Sequence, residues 1–117
     1  ENVTEAKKLI NQIYLDEKIE TYILDMVFAT RLPEKYGLPD LKSYISFGAS
    51  PRASINLSIA ARAMAFLKNR AFVIPEDVKE IAKDVLRHRI GLSFEAEAEE
   101  ITSDDIIDKI LSKIQAP

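Results

Sequence analysis

The segment 51–69 constrains the fold most, because it is apolar around most of a helical circumference. At about 100° per residue its few polar side chains fall on one narrow stripe, which we expect to face solvent. That stripe consists of Ser54, Ser58, Arg62 and Asn69. A helix that meets water along only one stripe lies in the middle of its domain. The segment therefore predicts the central helix of a helical bundle.

Three other segments carry apolar residues at the spacing of an amphipathic helix. We expect Asp16 to cap the first, Pro75 to open the second at its first position, and Thr102 to begin a capping box for the third. The predicted buried faces are Ile19, Tyr22, Ile23, Met26 and Val27 in the first, Val78, Ile81, Ala82, Val85 and Leu86 in the second, and Ile106, Ile107, Ile110, Leu111 and Ile114 in the third.

The connections add little regular structure. Residues 31–50 contain two prolines and a glycine, which predicts a loop folded onto the bundle with at most one helical turn at 41–46. Residues 13–15 and 92–94 are expected to be extended and to lie beside each other, and 95–100 to be a solvated acidic run. His88 is expected at the core edge.

The predicted class is all-α, a small helical bundle with at most a short two-stranded extended pair.

Composition excludes several functions. The 117 residues carry a net charge of −3 from 16 basic and 19 acidic side chains without a basic cluster, which disfavours nucleic-acid binding. With no cysteine and one histidine we expect no metal site. No apolar run approaches the roughly 18 residues of a membrane span, and no signal peptide opens the chain. We expect a cytoplasmic protein without a membrane span.

The candidate site lies where the central helix begins. Ser50 is a preferred N-cap and Pro51 suits the first helical position, so Arg52 lies in the first turn, where the helix dipole disfavours a cation by about 0.3–1 kcal/mol. Free amides and a guanidinium at one point suit a phosphate. Asn56 lies one turn further on the same face and is a secondary candidate. The alternatives are an arginine paired with a nearby carboxylate or simply solvated.

The chain lacks the other groups that nucleotide hydrolysis needs. It contains no Walker A sequence and no glycine-rich loop that could replace one, and its one histidine has no obvious nucleophile partner. We therefore expect no hydrolysis by the isolated chain, which could still contribute one residue to a larger site.

Several ordered motifs resemble one family. The central one is Phe47-Gly48-Ala49-Ser50-Pro51-Arg52-Ala53, and the others are ATR at 29–31, PEKYGL at 33–38, AARA at 60–63, AFL at 65–67, VIPEDV at 73–78, VLRHRI at 85–90 and SFEAEA at 93–98. Together they resemble the sensor 2 region of the MoxR family of AAA+ ATPases, from about Tyr14 to Ile114. The resemblance implies a helical lid at 13–117, preceded by a linker helix at 1–12 from an upstream AAA+ core.

The resemblance also implies a function. Arg52 matches the sensor 2 arginine, which in these ATPases approaches the γ-phosphate of ATP within its own subunit or across a ring interface, and Ser50, Pro51 and Asn56 would help to bind the nucleotide. It implies ATP and Mg²⁺ in the full-length protein but no cofactor for the isolated domain, a homo-hexamer, chaperone-like remodelling, and a von Willebrand factor A domain partner. Ile74 departs from the family, whose members often carry threonine there as a cap.

Two other functions compete with a lid. The first is an autonomous interaction module in which helix, bridge and helix at 51–88 form a histone-like dimer. The second is a nucleic-acid-binding bundle, which the acidic balance disfavours.

Overall fold

The computed structural model describes residues 8–117, in which α-helices predominate. These are α1 (Glu17–Arg31), α2 (Ala53–Leu67), α3 (Pro75–Leu86), α4 (Phe94–Ala98) and α5 (Ser103–Lys113). Two short 3-10 helices, Pro33–Tyr36 and Pro39–Ser43, follow α1. The all-α class is confirmed, with one two-stranded antiparallel pair in the described part of the chain. Most of the predicted linker helix lies outside the described residues, although 8–11 are helical.

Helix α2 is not enclosed on all sides, contrary to the prediction of a central helix, because Ile55, Ile59 and Leu67 are exposed. It packs chiefly against α3 and also against α1, while α5 packs against α3 and α1. The inner face of α2 is made of small residues around Leu57, which let the neighbouring helices approach closely. The fully buried members are Ala53, Leu57, Ala61 and Ala65.

The prediction for the wet stripe of α2 is wrong. Ser54, Ser58 and Arg62 are half-buried, whereas Ile55 and Ile59 are 59% and 52% exposed. The serines can be covered because their hydroxyls donate to the helix backbone, from Ser54 to the Pro51 carbonyl at 2.8 Å and from Ser58 to the Ser54 carbonyl at 2.9 Å. A hydroxyl satisfied in this way no longer needs water. The outer face of α2 is consequently apolar.

The buried faces of the three amphipathic helices are confirmed, with Val85 and Leu111 half-buried. Pro75 opens α3, and the capping box of α5 forms: the Asp105 amide donates to Thr102 Oγ1 at 3.1 Å, and the Thr102 amide donates to Asp105 Oδ2 at 2.9 Å. Asp16 occupies the N-cap position of α1, but its carboxylate accepts from the Tyr14 hydroxyl at 3.2 Å instead of from a first-turn amide.

The extended segments pair differently from the prediction. Strand β1 (Ile45–Phe47) lies antiparallel to β2 (Gly91–Leu92), so Leu92 faces Ile45 and not residues 13–15. Tyr14 instead forms a parallel bridge with Phe72. The helical turn predicted within 41–46 is present but displaced, since it is a 3-10 helix that begins at Pro39 and ends at Ser43, and β1 follows. Periodicity identifies extended residues but carries no information about their partners.

The acidic run at 95–100 is solvated, as predicted, because its glutamates are exposed. It also contains the short helix α4, which was not predicted and which Ser93 caps, since Ser93 Oγ accepts from the Ala96 amide at 3.2 Å. The prediction for His88 is wrong: it is exposed instead of lying at the core edge, because α3 ends at Leu86 and His88 lies in the turn that follows. None of the helices within residues 8–117 has the length and apolar content that crossing a bilayer requires.

Candidate functional site

A tight turn over residues 50–53 precedes α2. Ser50 Oγ accepts from the Arg52 amide at 3.3 Å, and the Ser50 carbonyl accepts from the Ala53 amide at 2.8 Å. The helix begins at Ala53, two residues later than predicted, and Arg52 takes the N-cap position with φ −64° and ψ −19°. The turn therefore contains the three predicted site residues Ser50, Pro51 and Arg52. Pro51 lies in the turn and not at the first helical position.

The amides of this turn are largely occupied. The Arg52 amide donates to Ser50 Oγ, and the Ala53 amide donates to the Ser50 carbonyl. The Ser54 amide donates to the Pro51 carbonyl at 3.2 Å. The expectation of free first-turn amides is thus wrong, because the turn closes with bonds between residues three apart before the α-helix starts. An anion at this point would meet the guanidinium of Arg52 first.

Arg52 itself is exposed. Among residues 8–117 its guanidinium takes part in no ion pair, although the same region contains pairs that involve Lys68, Arg70, Lys83 and Arg87. Pairing with a neighbouring carboxylate is therefore not observed in the described part of the chain. The guanidinium remains available to a group from outside the domain.

Arg52 begins a largely apolar outer face of α2. We call the exposed side chains of Arg52, Ile55, Ile59 and Leu67 the α2 outer face; Leu67 is 73% exposed. Asn56, the secondary candidate, is half-buried within the first turn of the helix. The face spans the whole of α2, about 22 Å at 1.5 Å per residue.

The other end of this face lies beside the incoming chain. An open groove there is lined by Leu9, Gln12, Ile13, Phe66, Asn69, Arg70 and Ala71. Leu9, Gln12 and Ile13 thus line the same groove as Phe66 near the C-terminal end of α2, while Arg52 lies at the N-terminal end of that helix.

The connection that leads into the turn is fixed to the end of α1. Thr30 is fully buried, and its Oγ1 accepts from the Ala49 amide at 2.9 Å while donating to the Val27 carbonyl at 2.6 Å. Arg31 Nη1 donates to the Ala49 carbonyl at 3.2 Å. Thr30 was not predicted as a site residue; the available signal was a hydroxyl four residues after Met26, on the buried face of α1.

Asp77 is the second residue that the sequence analysis undervalued. It is fully buried, and Arg70 holds both of its carboxylate oxygens. Burial alone would raise the pKa of Asp77, but the hydrogen bonds from Arg70 and from the Ile74 amide outweigh it and keep that pKa below its usual value. This pair stabilises the α2–α3 connection. Within residues 8–117 no three Asp, Glu or His side chains are grouped so that they could hold a metal ion.

Comparison with known proteins agrees with this fold. The model of the AAA lid domain matches residues 40–110. The chain is 43% identical over 104 residues to the chaperone MoxR1 of Mycobacterium tuberculosis, covering 89% of this chain and 28% of that protein. It is 39% identical over 79 residues to the protein MoxR of Paracoccus denitrificans, covering 64% of this chain and 23% of that protein.

A solved structure is also similar. A crystal structure from Cytophaga hutchinsonii, of a protein provisionally classed as an ATPase, matches 94% of this chain and 33% of its own chain, with a TM-score of 0.91 and 52% identity.

The AAA lid domain model covers more than half of this helical bundle, so the chain belongs to the AAA lid domain family. More particularly, it is the lid domain of a MoxR-family AAA+ ATPase, which confirms the resemblance found in the sequence. The chain spans about a third or less of the length of these relatives.

Proposed function

We propose that this domain is the nucleotide-sensing lid of a MoxR-like AAA+ ATPase, and that Arg52 is its sensor 2 arginine. The observation that carries the proposal is the exposure of the Arg52 guanidinium, which has no ion-pair partner among residues 8–117 and lies at one end of the α2 outer face. A planar cation with several donors suits a terminal phosphoryl group, whose oxygens accept charge-assisted hydrogen bonds.

The α2 outer face is where the nucleotide-binding core docks in this proposal. Ile55, Ile59 and Leu67 are each more than half exposed, and covering side chains of this kind contributes up to about 1.5–3 kcal/mol apiece. Leu9, Gln12 and Ile13 line a groove together with Phe66 near the end of the same helix, so a domain joined through these residues starts beside the face that it covers. Docking along α2 then carries the core to Arg52.

ATP and Mg²⁺ are the cofactors proposed for the full-length protein. The exposed cation at Arg52 fits the anionic end of the nucleotide, and Asn56 is a secondary contact on the same helix. The Ser50 hydroxyl accepts from the Arg52 amide and can still donate its proton to a phosphate oxygen, so Ser50 and Pro51 stay in the proposal as nucleotide contacts beside Arg52. Mg²⁺, held by the core, would neutralise phosphate charge.

In this arrangement the position of the lid is coupled to the state of the bound nucleotide. An arginine that gains a partner only when the terminal phosphate is present makes the lid position depend on the nucleotide state. We propose that this movement drives chaperone-like remodelling, since one relative bears the name chaperone MoxR1. A homo-hexameric ring in the cytoplasm and a von Willebrand factor A domain partner belong to the same proposal. Arg52 acts within its own subunit or across the ring interface.

The proposal is tested in the full-length protein by Arg52→Ala and Arg52→Lys. We expect Arg52→Ala to lower ATP turnover by about 10³-fold or more, the lower end for arginine fingers, with little change in melting temperature. Arg52→Lys keeps the charge but loses the two-pronged donor geometry and should be only partly active. Arg89→Ala, which removes an exposed arginine after α3, is the control and should keep full turnover. Unchanged turnover in Arg52→Ala overturns the role of Arg52.

The α2 outer face also suits a second candidate, the histone-like dimer formed through residues 51–88. Exposed apolar side chains along one face of a helix are what a self-associating module presents. Light scattering coupled to size exclusion separates the two functions. A stable dimer of this chain that Ile59→Lys dissociates favours the module, whereas a monomer at high concentration removes it.

A further inference from the structure

We infer that Thr30 is a positioning residue for Arg52, and that Thr30 and Arg31 together clamp the backbone of Ala49 so that the turn at 50–53 holds a single position. This inference rests on the proposed function, because it assumes that the position of Arg52 matters for nucleotide binding.

The clamp uses both polar groups of Ala49. Thr30 Oγ1 accepts from the Ala49 amide at 2.9 Å, and Arg31 Nη1 donates to the Ala49 carbonyl at 3.2 Å. The Thr30 hydroxyl proton is committed to the Val27 carbonyl at 2.6 Å, which leaves its lone pairs facing the amide. Thr30 and Ala49 are both fully buried, so water cannot substitute for either partner.

Gly48 permits the contact. A Cβ at this position would lie 2.4 Å from the Thr30 carbonyl oxygen and 2.8 Å from the Arg31 Cα. Both of these atoms belong to the backbone of α1 and cannot rotate away. The loop can approach the end of α1 closely enough for the hydrogen bonds only because residue 48 has no side chain.

The path from the clamp to Arg52 is short and internally bonded. Only Ser50 and Pro51 separate Ala49 from Arg52, and the hydrogen bonds of Ser50 close that turn. A displacement of Ala49 is therefore passed on to the start of α2. Since a misplacement of 1 Å can lower a reaction rate by about 10²-fold, the clamp is suited to set how well Arg52 meets a phosphate.

The experiment uses Thr30→Val and Thr30→Ser in the full-length protein, each alone and combined with Arg52→Ala. Valine keeps the shape of threonine and removes the hydroxyl, whereas serine keeps the hydroxyl. We expect Thr30→Val to lower kcat/KM for ATP by about two- to tenfold, the range for one lost neutral hydrogen bond, and Thr30→Ser to restore it. In the Arg52→Ala background, Thr30→Val should have no further effect.

A second readout does not depend on activity. Hydrogen exchange of the Ala49 amide should speed up by about two- to tenfold in Thr30→Val and stay slow in Thr30→Ser. If Thr30→Val does not fold, Arg31→Met and Arg31→Lys replace it, because Arg31 is exposed and its loss spares the core. Arg31→Met should then lower kcat/KM only when Arg52 is present.

The outcomes separate the two claims. If Thr30→Val lowers kcat/KM equally with and without Arg52, the residue has a general structural role and the inference is overturned. Equal kcat/KM in Thr30→Val and the unchanged protein overturns it as well. If Arg52→Ala alone changes neither ATP binding nor turnover, the proposed function fails, while Ala49 exchange still reports whether the clamp exists.

Discussion

Arg70 and Asp77 form a two-pronged ion pair, in which Nη1 and Nη2 of the arginine each lie 2.6 Å from a different carboxylate oxygen. Asp77 Oδ2 also accepts from the Ile74 amide at 2.9 Å. Ile74 has no hydroxyl to cap the helix, yet Asp77 still provides the reciprocal half of the cap. The pair thereby joins Arg70, in the connection after α2, to the first turn of α3.

We predict that Asp77→Asn destabilises the domain by about 2–4 kcal/mol, because a buried hydrogen-bonded ion pair loses its charge and leaves Arg70 without an anion. Urea unfolding measures the change. Glu80→Gln is the matched control: Glu80 pairs with Lys68 at 2.6 Å, but both side chains are more than a third exposed, so the cost should stay below about 1 kcal/mol. Equal costs in the two variants would contradict the burial argument.

The same carboxylate predicts acid sensitivity. The folded pKa of Asp77 is lowered, despite burial, by Arg70 and the Ile74 amide, so its contribution to stability is complete above the unfolded value near ~4 and disappears as pH falls through the folded pKa. Melting temperatures between pH 6 and 3 should therefore fall less steeply in Asp77→Asn than in the unchanged chain. Parallel curves would show that Asp77 is not the group responsible.

Gly48→Ala should destabilise the domain by about 1–3 kcal/mol, because its Cβ would meet the backbone of α1 at 2.4 Å. Gly37→Ala is the comparison. Gly37 has φ +75°, which costs alanine roughly 1–2 kcal/mol, and its nearest neighbour is the flexible end of Lys113. We expect both variants to have a lower melting temperature, but only Gly48→Ala should also weaken ATP binding by the full-length protein. A loss of binding in Gly37→Ala alone would contradict this assignment.

Substitutions at Ile59 and Ile110 test whether the outer face of α2 is a docking surface. Ile59 is 52% exposed, so Ile59→Ser should change the stability of the chain by no more than about 0.5 kcal/mol. Ile110 is buried in α5, and Ile110→Ser should cost about 3–5 kcal/mol. In the full-length protein Ile59→Ser should nevertheless lower ATP turnover. Turnover at the original level would indicate that the core docks elsewhere.

The sequence predicted what depends on local periodicity. The inner faces of α1, α3 and α5 follow from apolar spacing, and the capping box at Thr102 follows from residue type and order. The predictions that were wrong depend on interaction partners. Ser54 and Ser58 were predicted to face solvent, although their hydroxyls donate to backbone carbonyls. The segment around Tyr14 was predicted to lie beside residues 92–94, whereas Tyr14 pairs with Phe72. The buried hydrogen bonds of Thr30 and Asp77 were not predicted because their partners, Ala49 and Arg70, lie 19 and seven residues away. The position of Arg52 at the start of α2 was predicted; its role stays a prediction.

The central claim is that Arg52 meets the terminal phosphate of ATP, and the affinities of the full-length protein for ATP and ADP test it most directly. We predict that Arg52→Ala weakens the binding of a non-hydrolysable ATP analogue by about 10- to 150-fold, the equivalent of a lost hydrogen bond to a charged group, and leaves ADP affinity nearly unchanged. Equal affinities of Arg52→Ala and the unchanged protein for the ATP analogue would contradict the account.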